Sequence, residues 1–561
     1  MSNIDLFILS FTLLSISLYS TYKNYSNKNL KSYILGNKSA NWRTIGLSVM
    51  ATQASAITFL STPGQGYVEG MSFIQNYLGL PIALIVVSLI FVPIYYKSNV
   101  YTAYEYLERR FDYKVRLLTS LFFLMQRGLQ AGITIYAPSI ILTTILGWDL
   151  TITVILVGSL IILYTVVGGS RAVSLTHKHQ MTIIFIGLIV LFTFLLNFIL
   201  KDISFYNSLQ LMGLFDKNNA INLSFDFSEK YTIWSGLFGG FFLSLSYFGT
   251  DQSQVSRYIN GKNIKESQMG LIFNAFMKIP LQFFILFIGL LLFVFYSLNQ
   301  PPLNFNKSLL SYQKSIDNSL IENYEKENTL IFEKKKKLLN SYFNNSKDEK
   351  LNKQIIELNN DLDINRKNFE SEVLANGYIM KKPESDFIFL TFILDYLPIG
   401  LIGFLIAVIF SAAMSSTSAE ISALSAITTI DIYKRFFKSG VFTKNDVMIS
   451  KFFNFIWGVI AILFSLFFVQ KENLIESINI VASLLYGNVL GIFLVAFFNK
   501  KIKSNNVFIG AILSQTIVLI IYFNQGDSIG YLWFNFIGTL LTCSISYFLY
   551  ILNENINNST K

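Results

Sequence analysis

Residues 48–58 have the sequence Ser-Val-Met-Ala-Thr-Gln-Ala-Ser-Ala-Ile-Thr, and residues 411–420 have the sequence Ser-Ala-Ala-Met-Ser-Ser-Thr-Ser-Ala-Glu. Both runs of mostly small and hydroxyl residues lie within stretches that are long enough to cross a bilayer. One interpretation is close helix packing, since small residues let helix backbones approach each other. The other is a cation site, because an unwound helix offers carbonyl oxygens beside Ser and Thr hydroxyls, and a bilayer tolerates such a break where it lines a cavity.

The composition around these runs is that of a polytopic membrane protein. Of the 561 residues, 52% are hydrophobic and 14% are charged, against about 25% charged residues in an ordinary soluble domain. A soluble enzyme, a disordered chain and a coiled coil are therefore excluded. The single cysteine excludes an intrachain disulfide, and two histidines leave little for a histidine metal site. No G-x-x-x-x-G-K-[ST] loop is present, so direct drive by ATP is excluded and no enzyme activity is predicted.

Thirteen apolar stretches are long enough to be spanning helices. Residues 1–22 lack the basic segment and the cleavage site of a signal peptide, so they are predicted to form the first of these helices. The predicted spans are about 5–22, 44–62, 73–96, 115–145, 151–168, 180–200, 232–250, 268–297, 388–418, 447–470, 476–498, 506–523 and 529–552.

The distribution of Lys and Arg predicts the orientation of these spans. With the N-terminus outside, the cytoplasmic segments hold 24 basic residues and the short outer loops hold four. Because cytoplasmic loops carry an excess of basic residues, the predicted topology is N-terminus outside and C-terminus inside, in the cytoplasmic membrane. The same excess accounts for much of the net charge of +10, so no nucleic-acid partner is predicted.

Residues 299–386 form a polar, charged insertion, which the topology places outside. Long loops translocate regardless of charge, so its 14 basic residues do not disturb the count. Apolar residues at helical spacing predict a hairpin of two helices that turns near Asn344-Asn345. The hairpin is either a solvated insertion without a function or an arm for an extracytoplasmic partner. The periodic residues are Leu309, Tyr312, Ile316 and Leu320, then Leu351, Ile355, Leu358 and Leu362.

Four stretches of the chain carry a further pattern of small, polar and aromatic residues. They are Ala51–Phe59 with Gly64–Tyr67, Tyr164–Gly169 with Ala172-Val173, Phe248–Gln252 with Arg257-Tyr258, and Ser411–Ser416 through Asp431–Tyr433. In order and spacing they resemble the first, fourth, sixth and eighth core helices, with their following loops, of the sodium/solute symporter family, which includes sodium/glucose, iodide and multivitamin cotransporters. The resemblance covers residues from about 30 to 500.

This resemblance implies an all-α polytopic membrane protein with a five-plus-five inverted-repeat core of the leucine-transporter type. The solute site then lies near the midplane, where the broken first helices of the two repeats face each other. The implied divisions are an extra helix and loop at 1–43, the first repeat at 44–200, an extracytoplasmic loop at 201–231, the second repeat at 232–498 with the 299–386 hairpin inserted, and two C-terminal helices with a short tail at 499–561.

The resemblance also implies a sodium site. Carried over residue by residue, its ligands are the carbonyls of Ala51, Ala54 and Ala412 and the hydroxyls of Ser415 and Ser416. A carbonyl is available from any residue, so the two serines are the informative pair. A proton-coupled site would need a carboxylate, and these five positions offer none.

Two departures from the family pattern bear on stoichiometry and solute. Relatives with a second sodium have an Asp and a hydroxyl where this chain has His177 and Ala419, so one co-transported sodium is predicted. Sugar-binding members have Gln and Glu where this chain has Thr58 and Tyr77, so a sugar-type site is not supported.

Ionisable residues within predicted spans are costly and indicate function by default. Arg127 lies at mid-depth in its span, and its guanidinium suits a carboxylate of the solute. The alternative is a structural pair with Glu420 or Asp251. For Lys278, which precedes Pro280, a structural role is favoured. The predicted solute site comprises Gln53, Thr58, Gln75, Arg127, Gln130 and Asp251.

These inferences predict sodium-coupled symport of a small polar or anionic solute by alternating access. The alternative is a membrane nutrient sensor that kept the transporter fold but not the flux. The predicted partners are the solute, the lipid bilayer and, at 299–386, an extracytoplasmic protein.

Overall fold

The computed structural model describes residues 2–24, 38–343, 348–378, 383–437, 444–468 and 472–559. Within them the protein is helical, and its one β-type contact is an isolated bridge between Ala40 and Gly261. The N-terminal half comprises α1 (Asn3–Asn24), α2 (Trp42–Gln53), α3 (Ala56–Glu69), α4 (Leu80–Val86), α5 (Val92–Ser98), α6 (Ala103–Arg110), α7 (Tyr113–Leu146), α8 (Leu150–Leu200) and α9 (Phe205–Leu214).

The second half continues the helical bundle and carries the insertion. A 3₁₀ segment, Gly70–Tyr77, follows α3, and three π-helical segments are Val87–Phe91, Ser235–Gly239 and Thr428–Tyr433. The helices are α10 (Gly240–Gly249), α11 (Gln252–Ile259), α12 (Ile264–Leu298), α13 (Lys307–Ile316), α14 (Asn318–Tyr342), α15 (Glu349–Ala375), α16 (Ser385–Tyr396), α17 (Leu401–Ile427), α18 (Lys434–Phe437), α19 (Lys444–Phe467), α20 (Leu474–Phe498), α21 (Ser504–Gln525) and α22 (Trp533–Ser559).

Ten helical segments of the described chain are long and apolar enough to cross a bilayer, so this is a multi-pass membrane protein. The single predicted span 388–418 is wrong, because it is two helices, α16 and α17. They are separated at Leu397–Gly400, where Gly400 adopts φ +90°. The loop expected at 169–179 has a helical backbone instead, which joins two predicted spans into the 51-residue α8.

Two helical stretches are interrupted where the chain is buried in the bundle. The first break separates α2 from α3 at Ala54-Ser55, where Ala54 has ψ 80° and Ser55 is extended. The second break separates α10 from α11 at Thr250-Asp251, where Asp251 is extended and its carboxylate accepts from the Ser253 amide at 2.8 Å. Interrupted helices of this kind occur in transporters because their free backbone groups can line a cavity.

Helix α17 is buried through the core, packed against α1, α7, α8 and both halves of the first broken helix. Its N-terminus is capped from a distance by Asp5 of α1, whose Oδ1 accepts from the amides of Gly400 at 2.7 Å and Gly403 at 3.0 Å. A carboxylate at this position satisfies two of the amides that a helix start leaves free. The N-terminal helix thereby anchors the helix that carries Ser415 and Ser416.

The insertion is built from α13, α14 and α15, with α14 and α15 packed along each other. The predicted first helix through Leu309 and Leu320 is in fact divided at Asp317, whose side chain caps α14 by accepting from the Ser319 amide at 2.8 Å. The predicted turn at Asn344-Asn345 lies outside the described residues. A small core of its own holds the base of the insertion together: Leu303, Leu309, Ile321, Phe369 and Val373.

Candidate functional site

The break between α2 and α3 releases two carbonyl groups. In a continuous helix, the Ala51 carbonyl would accept from the Ser55 amide, but that amide donates to the Gln53 carbonyl at 3.0 Å. The Thr58 amide likewise donates to the Ser55 carbonyl at 3.0 Å rather than to Ala54. The carbonyls of Ala51 and Ala54 are therefore left without these helical donors.

Helix α17 brings two hydroxyls to this break. The Ser415 hydroxyl lies 3.5 Å from the Ala51 carbonyl, and the Ser416 hydroxyl donates to the Ala412 carbonyl at 3.1 Å. All five predicted sodium-site residues are at most 1% exposed. The arrangement offers neutral oxygen atoms from two elements in a buried setting, which is the ligand type that a hard cation prefers. No cluster of three or more His, Cys, Asp or Glu residues that could hold another metal occurs among the described residues.

His177 and Ala419 lie buried close to the same elements. The His177 Nδ1 is 2.9 Å from the Ser48 hydroxyl of α2, and its Nε2 has no partner among the described residues. Ala419 follows the serines on α17 and offers only a methyl group. Neither side chain supplies an oxygen at the two positions where relatives with a second sodium have an Asp and a hydroxyl.

A central cavity of about 130 Å³ opens beside the first break. It lies between α3, the Gly70–Tyr77 segment, α7, α10, α12 and α20. Its volume is smaller than the roughly 300–1,000 Å³ of drug-sized ligand pockets, so this conformation encloses only a small space. The polar and aromatic residues that line it are Thr52, Gln53, Ser55, Thr58, Asn76, Tyr77, Arg127, Gln130, Thr134, Ser244, Tyr247, Lys278, Glu420, Asn479 and Tyr486.

Arg127 reaches the cavity with its guanidinium already bonded to two carboxylates. Its Nε donates to Asp251 at 2.9 Å, its second terminal nitrogen also contacts Asp251, and Nη1 donates to Glu420 at 3.0 Å. Tyr486 joins the network through a hydroxyl that donates to Asp251 at 2.6 Å. Glu420 also accepts from Thr134 at 3.0 Å. A buried cation in this setting is held by charge-assisted hydrogen bonds to two other helices and the second break.

Lys278 presents the other cation to the same cavity. It is 3% exposed, and its ammonium lies 5.4 Å from the centre of the Tyr77 ring. Among the described residues no carboxylate lies within ion-pair distance of it, and none of the hydrogen bonds found in the structure involves its ammonium. A buried ammonium without an anionic partner is costly unless a ligand supplies the charge.

Three side-chain amides near the cavity have an unused oxygen. The carbonyl oxygens of Gln53, Asn76 and Gln130 are buried and accept no hydrogen bond from a described residue. The Gln130 amide nitrogen, by contrast, donates to the Ile478 carbonyl at 3.0 Å, which orients the side chain. Buried polar atoms are normally satisfied, so these oxygens are available to hydroxyl or amide donors of a solute.

The predicted solute residues therefore separate into two groups. Gln53, Thr58, Arg127 and Gln130 line the cavity. Gln75 lies away from it, because its amide holds the loop before α10 by donating to the Tyr231 carbonyl at 3.0 Å and accepting from the Asn222 amide at 2.9 Å. Asp251 is turned to Arg127 and the start of α11 and does not line the cavity.

Sequence reasoning missed Asn76 and Tyr77 as cavity residues and favoured a structural role for Lys278. The available signal for Lys278 was its charge within a predicted span. A single sequence does not reveal that the Gly70–Tyr77 segment packs against α12 beside Lys278.

Two polar layers lie along the helices on either side of the cavity. On one side, the Asn473 amide donates to Gln65 at 2.5 Å, and the Tyr231 hydroxyl donates to Glu476. On the other side, Arg116 donates to Asp431 at 2.6 Å and to Glu108 at 2.6 Å. A cavity between two such layers can be opened to either side by breaking one of them.

Broken helices, a buried oxygen site and a polar central cavity together define a secondary transporter of the leucine-transporter type. The family profile described as "Sodium:solute symporter family" matches residues 33–323 and 372–514. The chain belongs to the sodium:solute symporter family, as its motifs predicted. It is a sodium-coupled symporter and not an enzyme, and sodium is its co-transported ion.

Among its relatives is the sodium/sialic acid symporter NanT of Aliivibrio fischeri, 24% identical over 93% of this chain and 88% of that protein. The human sodium-coupled monocarboxylate transporter 2 is 28% identical over 46% of this chain, a match that spans 41% of that transporter. A solved substrate-bound, outward-open sodium-coupled sialic acid symporter superposes with a TM-score of 0.75 at 23% identity, covering 98% of each chain, and supports the fold. These relatives are transporters and lend no support to the sensor alternative.

Proposed function

We propose that this protein imports a small organic carboxylate, driven by the sodium gradient, across the cytoplasmic membrane. The N-terminus lies outside and the C-terminus inside, in keeping with the excess of basic residues in the loops predicted to be cytoplasmic. The insertion then faces the outside. The first repeat comprises residues 44–200 and the second residues 232–498, each beginning with a broken helix.

The observation that carries the choice of solute is the contrast between the two cations of the central cavity. Arg127 has two carboxylates of the protein within 3.0 Å, whereas Lys278 has none within ion-pair distance among the described residues. A solute carboxylate would supply the missing charge at Lys278. Its hydroxyl groups would donate to the unused oxygens of Gln53, Asn76 and Gln130. Arg127 then acts as a positioning residue that holds the second broken helix.

The relatives support the same chemical class. The bacterial relative aligned over nearly the whole chain is named for sialic acid, and the human relative aligned over 46% of the chain is named for monocarboxylates. Both names describe solutes that carry a carboxylate. The shared chemistry is the carboxyl group, and the size of the solute is left to the experiment.

Sodium is proposed to bind between the first break and α17, with Ala51, Ala54, Ala412, Ser415 and Ser416 as its ligands. The carbonyls freed at the break and the serine hydroxyls are on separate elements. Bound sodium therefore joins α17 to the broken helix. One sodium per solute is proposed, since His177 and Ala419 offer no side-chain oxygen.

Alternating access follows from linkage between the two sites. Sodium stabilises the first broken helix in the form that lines the cavity, and solute binding on Lys278 draws α12 towards the Gly70–Tyr77 segment. Each ligand shifts the equilibrium only by its difference in affinity for the outward and inward states. Opening requires the loss of either the Gln65–Asn473 layer or the Arg116–Asp431 layer.

The test is uptake into proteoliposomes of lactate, glucuronate, N-acetylneuraminate and glucose, each with and without a sodium gradient. We expect sodium-dependent uptake of at least one of the three carboxylates and none of glucose. Sodium-driven uptake of glucose alone would refute the proposed solute class while leaving the symporter function intact.

A further inference from the structure

A second cavity lies where the insertion meets the membrane bundle. Its volume is about 470 Å³, within the range of small-molecule sites. Helix α3 connects it to the central cavity: Thr58 lines the central cavity, Gln65 belongs to the polar layer, and Tyr67 lines the second cavity. The second cavity therefore lies beyond the Gln65–Asn473 layer, on the side of the insertion. We call it the vestibule cavity.

Two ammonium groups in the wall of the vestibule cavity lack a carboxylate partner. Lys335 of α14 is 2% exposed, and its ammonium donates to the neutral Asn359 side chain at 2.7 Å. Lys217 donates to the Val68 carbonyl. Among the described residues neither ammonium has a carboxylate within ion-pair distance. Burial lowers the pKa of Lys335 to about 8, and the charge of Asp363 acts in the opposite direction.

Aromatic rings form the floor beneath these two cations. The Lys335 ammonium lies 5.6 Å from the centre of the Phe215 ring, and the Lys217 ammonium lies 5.3 Å from that of Phe293. The two rings contact each other edge to face at 5.2 Å. Tyr296, which is 3% exposed, also lines the cavity, and its hydroxyl has no partner among the described residues. The wall thus combines positive charge, apolar surface and an unused hydrogen-bonding group.

The carboxylates of the same cavity are committed to other partners or lie at its edge. Glu384 is paired with Arg366 and accepts from the Phe305 amide at 2.8 Å. Glu370 accepts from Asn304 at 3.0 Å. Asp363 is exposed, and the Asn359 amide approaches it at 3.4 Å. These acids therefore do not neutralise the two ammonium groups directly.

We propose that the vestibule cavity is a second binding site, for a small organic anion, formed by the insertion at the outer mouth of the transporter. A carboxylate placed between Lys335 and Lys217 would supply the charge that the protein does not, and its carbon skeleton would pack on Phe215 and Phe293. The site is distinct from the central cavity, since the Gln65–Asn473 layer lies between them. Much of its wall comes from the stretch 324–371, which lies between the two parts of the chain that match the family profile.

The experiment is hydrogen–deuterium exchange on the full-length protein in nanodiscs, titrated with glucuronate, lactate or inorganic phosphate. Exchange in peptides of α14 and α15 reports on the vestibule cavity separately from the central one. We expect at least one of the two carboxylates to protect these peptides. In Lys335→Met the half-saturating concentration should rise at least tenfold. Methionine keeps the length of the side chain and tolerates burial.

Lys336→Met is the matched control, because Lys336 is the next residue of α14 and is exposed. It removes the same charge but should leave the titration unchanged. Tyr296→Phe, which removes only the unused hydroxyl, should weaken protection by a smaller factor. Absence of protection with all three anions, or equal titrations for Lys335→Met and Lys336→Met, would overturn the proposal. Protection by phosphate alone would also overturn it, because the apolar floor would then have no role.

Discussion

The break between α2 and α3 and the break between α10 and α11 differ in what occupies them. At the first break, backbone carbonyls and two serine hydroxyls meet, and no side chain of the site carries a charge. At the second break, Asp251 caps the following helix and pairs with Arg127, which also reaches Glu420. The second break is therefore satisfied by the protein's own charges, whereas the first is suited to an ion that binds reversibly.

This difference explains how one architecture can serve two purposes. A site of neutral oxygens can release a cation, because nothing in it carries a compensating negative charge. A network of buried charges is held tightly, since removing one member leaves the others unpaired in a poorly solvated place. We therefore expect variants at the second break to affect stability and variants at the first break to affect sodium affinity.

The largest effect is expected for Arg127→Gln. It leaves Asp251 and Glu420 buried without their cation, which should cost about 3–5 kcal/mol of stability. Thermal unfolding in detergent measures this loss. The double variant Arg127→Gln with Glu420→Gln removes one of the unpaired charges and should recover part of it, as a double-mutant cycle would detect. A single variant that is fully stable but has lost solute affinity would instead make Arg127 the solute's contact.

The next effect concerns the first break. Ser415→Ala and Ser416→Ala should each weaken sodium activation of uptake, with a loss of about 1–3 kcal/mol of cation affinity per missing ligand. The unfolding temperature should change little, since neither hydroxyl belongs to an ion pair. Ser418→Ala is the control, because it removes a hydroxyl of the same helix outside the proposed ligand set. If the double serine variant kept its sodium dependence, the proposed site would be wrong.

A smaller effect is expected for Lys278→Met. Loss of the ammonium should weaken solute affinity at least tenfold, or about 1.4 kcal/mol, while half-maximal sodium concentration is retained in binding assays. The matched control is Lys265→Met, an exposed lysine at the start of the same helix. Unchanged solute affinity in Lys278→Met would show that the solute carboxylate does not bind to Lys278.

The smallest effect is expected for the membrane potential, which should not change the rate of uptake. One sodium carried with one monocarboxylate moves no net charge, so uptake should not respond to an imposed membrane potential. A second sodium would make transport electrogenic, with about 2.3 kcal/mol of additional drive per 100 mV. Uptake measured with potassium-diffusion potentials separates the two cases, and a strong response would point to a second sodium despite His177 and Ala419.

Much of the fold follows from local features of the sequence. The long apolar stretches and the order of four motifs predict the membrane class and the family. The length criterion failed at 388–418, because it ignores Pro398 and Gly400, which end one helix and begin another. It also placed a loop in the middle of α8, where the apolar stretches are interrupted but the backbone is helical.

The site was less accessible to sequence reasoning. The run of small residues left a broken helix as one of two interpretations, and the positions 51 and 54 came from the family resemblance alone. The direction in which an individual side chain points could not be predicted, since it depends on how the helices rotate and pack. Gln75 therefore turns to the loop that contains Asn222 and Tyr231, Asp251 to Arg127, and Lys278 to the cavity, although all three were visible in the sequence as polar or charged residues.

We propose that a sodium gradient drives carboxylate uptake through the site at the first break. The direct measurement is uptake of radiolabelled carboxylate into proteoliposomes with a sodium gradient and no proton gradient, before and after a sodium ionophore. We expect accumulation above equilibrium that collapses with the ionophore and is strongly reduced in Ser415→Ala with Ser416→Ala. Accumulation that persists without sodium, or that follows a proton gradient instead, would contradict it.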